Sequence, residues 1–371
     1  MSIAKCPYFG RCGGCTSQNV AYPDQLERKK RLLASSARVP AESVRIFSGS
    51  EYGYRNRMDF VFHRTGLGLR ERDKWWEVVD VGECAISEPK VNLLLSECRT
   101  HFRDVDFFDL REKKGTFRYA VIRTSGNSSS ISFVLNRDSP GIEGATSIVR
   151  EFARASSAEN ISVAYCGPDG DVSISGDFLV IKGSDLLEET YLGKRFQYSA
   201  QGFFQNNHAM AAAMQEHVHK LLGSYGTKKS HLLDLYGGVG TFGIINAPLF
   251  ESVTTVEGAK ECTDAALRNI GLNSASNVRA VCADASSLSQ IPLPAGLFAV
   301  TDPPRSGMHP RAILGLLKLK PKVIIYISCN LHQLSREMHH FSGYEVKSAA
   351  LFDLFPQTPH CEGVLELVRK S

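Results

Sequence analysis

The amino-acid sequence predicts an α/β fold: a doubly wound parallel sheet in the C-terminal half, preceded by an α+β region. Three observations carry this. After about residue 200, short apolar runs alternate with helix-period stretches. One run empties into a glycine-rich turn, Asp234-Leu235-Tyr236-Gly237-Gly238-Val239-Gly240. Two others end on chemically distinctive residues, Asp302 before a pair of prolines and Cys329 between Ser328 and Asn330. Open α/β sheets bind ligands at the C-terminal ends of their strands.

The elements follow in order. Gln25 to Ser36 reads as a short basic helix, with Asp24 near its start. Between about 52 and 200 the pattern alternates, as in Met58–Phe62, Ile131–Leu135 and Val172–Ser175, and predicts antiparallel sheet with some helix, for example Pro89 to Phe102. Beyond 200, strands are expected at His231–Tyr236, Val253–Glu257, Val278–Asp284, Leu297–Asp302, Val323–Cys329, Tyr344–Leu354 and Glu362–Arg369. Helices fall between most of them, at Ala259–Leu272, Pro310–Leu319 and Leu331–Phe341. The last two strands lack a helix between them and are expected to form an antiparallel hairpin at the sheet edge. The expected division is residues 1–200 and 201–371, with part of 18–50 packing on the second domain.

A chain of 371 residues, 43% hydrophobic and 22% charged, is an ordinary globular protein of about two domains. No apolar stretch reaches the ~18 residues needed to span a membrane. Met1 to Cys6 contains no apolar secretion segment, so a cytoplasmic location is expected. In a reducing compartment the ten cysteines serve as metal ligands, nucleophile or core rather than disulfides. Residues 1–50 hold eight Lys/Arg against three acids. That excess suits RNA or DNA binding, though a solvated helix face would show it too.

The glycine turn follows a strand and opens a helix, and its glycines let a ligand approach the backbone. Glu257 ends the next strand, where a carboxylate accepts from ribose hydroxyls. Asp284, after the strand beyond, could cap the adenine side. Gly238, Gly240 and Gly243 also satisfy the dinucleotide pattern Gly-x-Gly-x-x-Gly. The turn alone therefore fits either a nicotinamide dinucleotide or S-adenosylmethionine; the residues on the later strands favour the latter.

Asp302-Pro303-Pro304-Arg305-Ser306-Gly307 fixes a carboxylate ahead of a rigid turn. Arg305 could hold a phosphate or a base. An isolated cysteine is more often core than chemistry, but Cys329 sits at a strand end beside a helix start, where a thiolate is favoured. The segment Asp353-Leu354-Phe355-Pro356-Gln357-Thr358-Pro359-His360-Cys361-Glu362 delivers a further carboxylate at the start of the last strand.

Together these motifs resemble the RNA uracil-C5 methyltransferase family over nearly the whole chain. Asp234–Gly240, Asp302–Gly307, Ser328–Asn330, Asp353–Glu362 and Phe203-Phe204-Gln205-Asn206-Asn207 match its patterns. The resemblance implies a class I S-adenosylmethionine-dependent methyltransferase domain at 201–371. It implies cofactor contacts at Gln205, Tyr236, Thr241, Glu257 and Asp302, a nucleophile at Cys329 and a base at Glu362. Two departures are visible: Gly237 stands where the family often has Cys, and Thr241 where it often has Asn. The implied chemistry is addition of the cysteine to C6 of uracil, methylation at C5 and elimination.

Cys6, Cys12 and Cys15, in Cys6-x5-Cys12-Gly13-Gly14-Cys15, form a dense run of thiols. Cys84 is the best fourth ligand and Cys98 the second. Four thiolates suit zinc or an iron–sulfur cluster, and the spacing does not decide. The cluster-bearing members of the family share this run, followed by a Gln and a Tyr-x-x-Gln-Leu helix, here Gln18 and Tyr22–Leu26. The resemblance thus implies a 4Fe-4S cluster on Cys6, Cys12, Cys15 and Cys84, within a 1–200 region that binds RNA. It also implies an rRNA-type member without the N-terminal β-barrel domain. Large-subunit (23S) rRNA is the favoured substrate, with the T-loop uridine of tRNA as the alternative. A monomer is expected. Tyr54-Arg55-Asn56-Arg57 is either a phosphate or base contact or a surface strand. The competing readings are an NAD-dependent oxidoreductase and a non-catalytic RNA-binding protein.

Overall fold

The computed structural model describes residues 2–126 and 128–370. Met1 and Ser371, the outer limits of the two expected domains, lie outside the described residues. In chain order the structure forms α1 (Tyr22–Ala37), β1 (Val44–Phe47), β2 (Arg57–His63), β3 (Gly66–Glu71), β4 (Lys74–Asp80), α2 (Pro89–His101), β5 (Phe117–Ser125), β6 (Ser128–Asn136), α3 (Ile142–Ala155), β7 (Asn160–Cys166) and β8 (Phe178–Lys182). Then follow β9 (Leu186–Tyr191), β10 (Lys194–Ser199), α4 (His208–Gly223), β11 (His231–Leu235), α5 (Thr241–Asn246), β12 (Ser252–Glu257), α6 (Lys260–Leu272), β13 (Val278–Cys282), β14 (Leu297–Thr301), α7 (Pro310–Leu319), β15 (Val323–Ser328), α8 (Leu331–Glu337), β16 (Tyr344–Phe352) and β17 (Glu362–Arg369).

These elements build two compact units that interleave in sequence rather than meeting at one boundary near 200. The first takes residues 1–22, 50–188 and 198–208; the second takes 23–49, 189–197 and 209–371.

The second unit carries a sheet ordered β1-β16-β17-β15-β14-β11-β12-β13. β11, β14 and β15 are parallel and fully buried; β14 and β15 are almost wholly apolar, while β11 carries His231 and Asp234 among its leucines. Strand order reverses at β11, which pairs with β12 on one side and β14 on the other. That reversal opens the crevice in which doubly wound folds hold ligands. β17 runs antiparallel between β15 and β16. The β16–β17 hairpin forms as expected but is not the edge, because β1 pairs parallel with β16 outside it. A four-residue strand carries too short an alternation to announce itself. The core beneath this sheet includes Leu33, Leu233, Leu235, Ile313, Leu316, Ile324, Leu365 and Leu367.

The first unit carries a sheet ordered β4-β3-β2-β5-β6-β7-β8. Helices α2 and α3 cover it with an aromatic core in which Phe62, Phe102, Phe117, Phe133 and Phe152 interlock. The strand expected at Val172–Ser175 does not form. Val172 and Ile174 are about half exposed, and the sheet continues instead through Phe178–Lys182. Among the described residues no helix is long and apolar enough to cross a membrane.

Within the first unit, Arg123 on β5 is fully buried. Its guanidinium donates to the carbonyls of Gly202 (2.6 Å) and Phe204 (3.0 Å) and stacks 4.7 Å from the Tyr198 ring. Removing it leaves buried carbonyls without that donor. Arg123→Leu is expected to lower stability by about 2–4 kcal/mol, read as a fall in the urea midpoint; an unchanged midpoint would contradict this account.

Candidate active site

The cofactor turn is built around one buried carboxylate. Asp234 on β11 accepts from the Gly243 N–H (3.0 Å) and the Thr255 hydroxyl (3.3 Å), tying the start of α5 to β12. Burial pushes its carboxyl up to about 7. Gly237 must be small, because a Cβ there would lie 2.2 Å from Thr255 Cγ2. Tyr236 adopts φ +60°, uncommon for an aromatic residue and typical of backbone held for a purpose. Its hydroxyl accepts the His309 N–H at 3.2 Å, linking the turn to the loop after β14. Glu257 ends β12 and accepts from the N–H groups of Gly238 (3.0 Å) and Ala259 (2.8 Å), which fixes its carboxylate beside the turn with lone pairs to spare. Thr241 is the first residue of α5. Asp284 is exposed and caps a short 3₁₀ turn by accepting the Ser286 N–H at 2.8 Å.

Tyr236, Thr241, Glu257 and Asp302 thus gather at the strand ends of the second unit. Gln205 lies in the first unit, and the segment carrying it is pinned by residues of that unit. The fully buried Asn56 donates its amide to the Gln205 carbonyl (3.2 Å) and its backbone N–H to Asn206 O (3.1 Å). Arg57 donates to the Gln201 and Gly202 carbonyls, both at 3.3 Å. Within Tyr54–Arg57, Tyr54 and Asn56 are buried, and Asn56 and Arg57 hold 201–206, so the segment is not a simple surface strand. The buried Arg123 does the same work and escaped the sequence reading. Its signal was one of two arginines, with Arg118, set in a strand that is buried throughout.

The Ser-Cys-Asn tripeptide divides labour. Ser328 accepts the Asn330 N–H at 3.2 Å. Asn330 caps α8 by accepting the Gln333 N–H (3.3 Å) and donates to the Arg305 carbonyl (2.9 Å). The flanking residues hold the turn and leave Cys329 half-buried between them. β15 and β17 pair as far as Ser328 opposite Gly363, so the next pair in register is Cys329 opposite Glu362. Glu362 is buried, and its Oε2 has no hydrogen-bond partner.

The electrostatics correct one expectation. Burial, together with the nearby Glu362 and Asp302 carboxyls, pushes the Cys329 thiol up to about 12; Arg305 opposes this. The following helix, Leu331–Glu337, spans seven residues and does not overcome the buried acids. Cys329 is thus a thiol at rest rather than a thiolate. Glu362 and Asp302 are both raised, Asp302 to about 7, as burial and mutual repulsion disfavour two charges. Arg305 also draws Glu362 down. It faces His360 at 3.3 Å, and since arginine only donates, His360 Nδ1 is the acceptor.

In the first unit, Cys6, Cys12, Cys15 and Cys84 line one cavity with Tyr8, Phe9, Met58 and Leu69 among its walls. Burial raises the Cys6, Cys12 and Cys15 thiols, Cys15 to about 11, and Cys84 adds to each shift. Gln18 accepts the Cys6 N–H at 3.0 Å, and Asn92 brackets Cys84 by accepting its N–H at 2.9 Å and donating to its carbonyl at 3.1 Å. Cys98 is fully buried in the aromatic core. The expected metal geometry is not formed: among the described residues no group of three or more His, Cys, Asp or Glu is arranged to hold a metal ion.

A glycine turn on β11, acids ending β12 and β14, and the strand order described above define a class I S-adenosylmethionine-dependent methyltransferase. The chain belongs to the family described as tRNA (Uracil-5-)-methyltransferase, which it matches over residues 21–293 and 296–370. It is thereby an S-adenosylmethionine-dependent RNA (uracil-C5-)-methyltransferase, and the oxidoreductase and non-catalytic readings fall away. An uncharacterized RNA methyltransferase of Caldanaerobacter subterraneus subsp. tengcongensis is 31% identical, covering 97% of this chain and 84% of that protein. The tRNA (uracil(54)-C(5))-methyltransferase of Pyrococcus abyssi is 29% identical over 98% of this chain and 85% of that one. The crystal structure of the Pyrococcus abyssi tRNA (uracil-54, C5)-methyltransferase with S-adenosyl-L-homocysteine superposes with a TM-score of 0.81 at 26% identity, covering 96% of this chain and 86% of that one.

A protonated resting thiol makes a checkable statement. Alkylation of the Cys329 peptide by iodoacetamide, followed by mass spectrometry, should accelerate with pH and remain short of its plateau at pH 9. Arg305→Gln should move the profile to still higher pH; a half-maximal rate below pH 8 would contradict the burial account.

Proposed function

We propose that this chain transfers the methyl group of S-adenosylmethionine to C5 of a uridine in tRNA, acting in the cytoplasm. The observation that carries the chemistry is the register of β15 and β17, which sets Cys329 opposite Glu362 with Asp302 in electrostatic reach of both. In the sequence the rRNA reading was favoured; the relatives described above whose names state a substrate name tRNA, and this supports the alternative.

The proposed roles follow from the geometry. Tyr236, Thr241, Glu257, Asp302 and Gln205 contact the cofactor, with Glu257 on the ribose. When bound, the cofactor would supply the methyl group and a positive charge that lowers the cost of a thiolate; Cys329, which burial holds protonated, gives its proton to water as the thiolate forms. The Cys329 thiolate adds to C6 and makes C5 nucleophilic. C5 takes the methyl group as the S–CH₃ bond breaks, leaving S-adenosylhomocysteine. Glu362, whose unpartnered Oε2 points to a missing donor, removes the C5 proton. That electron pair restores the C5–C6 double bond and expels the thiolate. The uridine must leave its stack to reach these strand ends.

The Cys loop is part of the same proposal. Four thiols spread around one largely apolar cavity, rather than converging on a point, suit a polynuclear 4Fe-4S cluster better than a single zinc ion. Held by Cys6, Cys12, Cys15 and Cys84, it would compensate thiolates that otherwise repel. Its role is structural: Gly13 and Arg72 bond across between this loop and the β3–β4 turn, through Arg70 O (2.9 Å) and Arg11 O (2.7 Å).

Wild-type protein incubated with S-adenosylmethionine and tRNA carrying 5-fluorouridine should form a covalent adduct stable on denaturing gels, since fluorine does not leave as a cation. Cys329→Ala should form none. Glu362→Gln should accumulate adduct on ordinary tRNA, with turnover reduced at least about a hundredfold; adduct from the Cys329→Ala protein would sink the assignment. Anaerobically purified protein should contain iron and acid-labile sulfide in near-equal amounts, and zinc without sulfide would refute the cluster.

A further inference from the structure

Helix α1 packs onto the second unit with an unusual stripe. Gln25, Lys29 and Leu33 recur every four residues, share one helix face and are all buried: Gln25 and Lys29 at 4% exposure and Leu33 at 0%. A helix on a sheet normally buries an apolar face; here two of these three positions are polar. Gln25 and Lys29 touch the loop that leads to Glu362, and Leu33 touches the residue just after it. Gln25 and Gln357 pair reciprocally, the Gln25 amide donating to Gln357 Oε1 at 3.0 Å and the Gln357 N–H to Gln25 Oε1 at 3.2 Å. Lys29 donates to Asp353 at 2.6 Å and to the Phe355 carbonyl at 3.2 Å. Leu33 lies so close to Gly363 that a Cβ there would stand 2.7 Å from its Cδ1.

The helix therefore grips this loop on both sides of Glu362, at 353–357 and at 363. Gln357 is held at φ +67° within that grip. A buried ion pair gives little net stability compared with apolar packing, and is better suited to fixing one geometry among several. The geometry fixed here is that of the segment carrying the base. The turn that carries Cys329 makes its hydrogen bonds through Ser328 and Asn330 rather than to Gln25 or Lys29, and it meets the gripped segment only where Ser328 pairs with Gly363.

We propose that Lys29, supported by Gln25 and Leu33, is a positioning residue for the elimination half of the reaction. It holds loop 353–362 so that the Glu362 carboxylate meets the C5 proton; when the proton is taken, its electron pair forms the C5–C6 double bond and the Cys329 thiolate departs. The inference rests on the assignment of addition to Cys329 and elimination to Glu362.

The test uses the full chain with S-adenosylmethionine and bulk RNA free of 5-methyluridine. Lys29→Met should lower kcat at least tenfold, leave KM for RNA and cofactor within twofold, and accumulate a methylated covalent RNA adduct without any fluorinated base. Lys29→Met leaves Asp353 buried without its cation, so the double variant Lys29→Met/Asp353→Leu replaces the pair by apolar groups; it should melt near the wild type and show the same adduct. Lys29→Arg should recover part of the turnover. Folded variants that turn over within twofold of wild type would overturn the proposal. So would adduct formation that falls in step with turnover, which marks a general structural role. Wild-type protein that methylates no RNA would remove the underlying assignment and this inference together.

Discussion

The site is governed by the crowding of three acidic groups at the mouth of a sheet. Burial raises Cys329, Asp302 and Glu362, and the Asp302 carboxyl raises Glu362 while both carboxyls raise Cys329. Left to relax, such groups would separate or draw in water. They stay because each sits on a different strand end, and the strands are fixed by a ladder that spans the unit. The sheet acts as a rigid frame that holds these groups in place, and with the roles proposed above a sulfonium bound beside them would relieve the crowding while supplying the methyl group.

The same frame separates placement from reactivity. Ser328 and Asn330 are consumed in hydrogen bonds of the turn, and Asp234 in bonds to Gly243 and Thr255. None of these has to react. The groups assigned to react are those the structure leaves electrostatically frustrated or unpartnered. In the first unit Asn56, Arg57 and Arg123 likewise fix the backbone of residues 201–206, which includes Gln205.

Much of this was legible in the sequence because the relevant signals are local. Buried parallel strands are largely apolar runs, so β11, β14 and β15 were bounded to within a residue, and their terminal residues were in view. What escaped was non-local or depended on burial. β1 is too short to carry a period, and it takes its place only by pairing with β16, some 300 residues later. Val172–Ser175 has the period of a strand but no partner and no cover. Lys29 looked like one more charge on a basic helix, since nothing in a run of four cations tells which one faces inward. The Cys329 thiol was misjudged for a related reason: a helix start is visible in sequence, whereas two carboxyls folded in from distant strands are not.

The contact between Gly237 and Thr255 has an evolutionary consequence. At position 237 the volume a side chain would need is filled by the Thr255 methyl group from the neighbouring strand. The two positions are therefore coupled: a larger residue at 237 alone, such as the cysteine the sequence resemblance would put there, meets a collision. Shrinking Thr255 to alanine first would cost Asp234 one of its two donors. Serine at 255 keeps the hydroxyl and removes the methyl, but a Cβ at 237 would still stand 2.9 Å from Asp234 Oδ2, so the carboxylate that organises the turn has to shift as well.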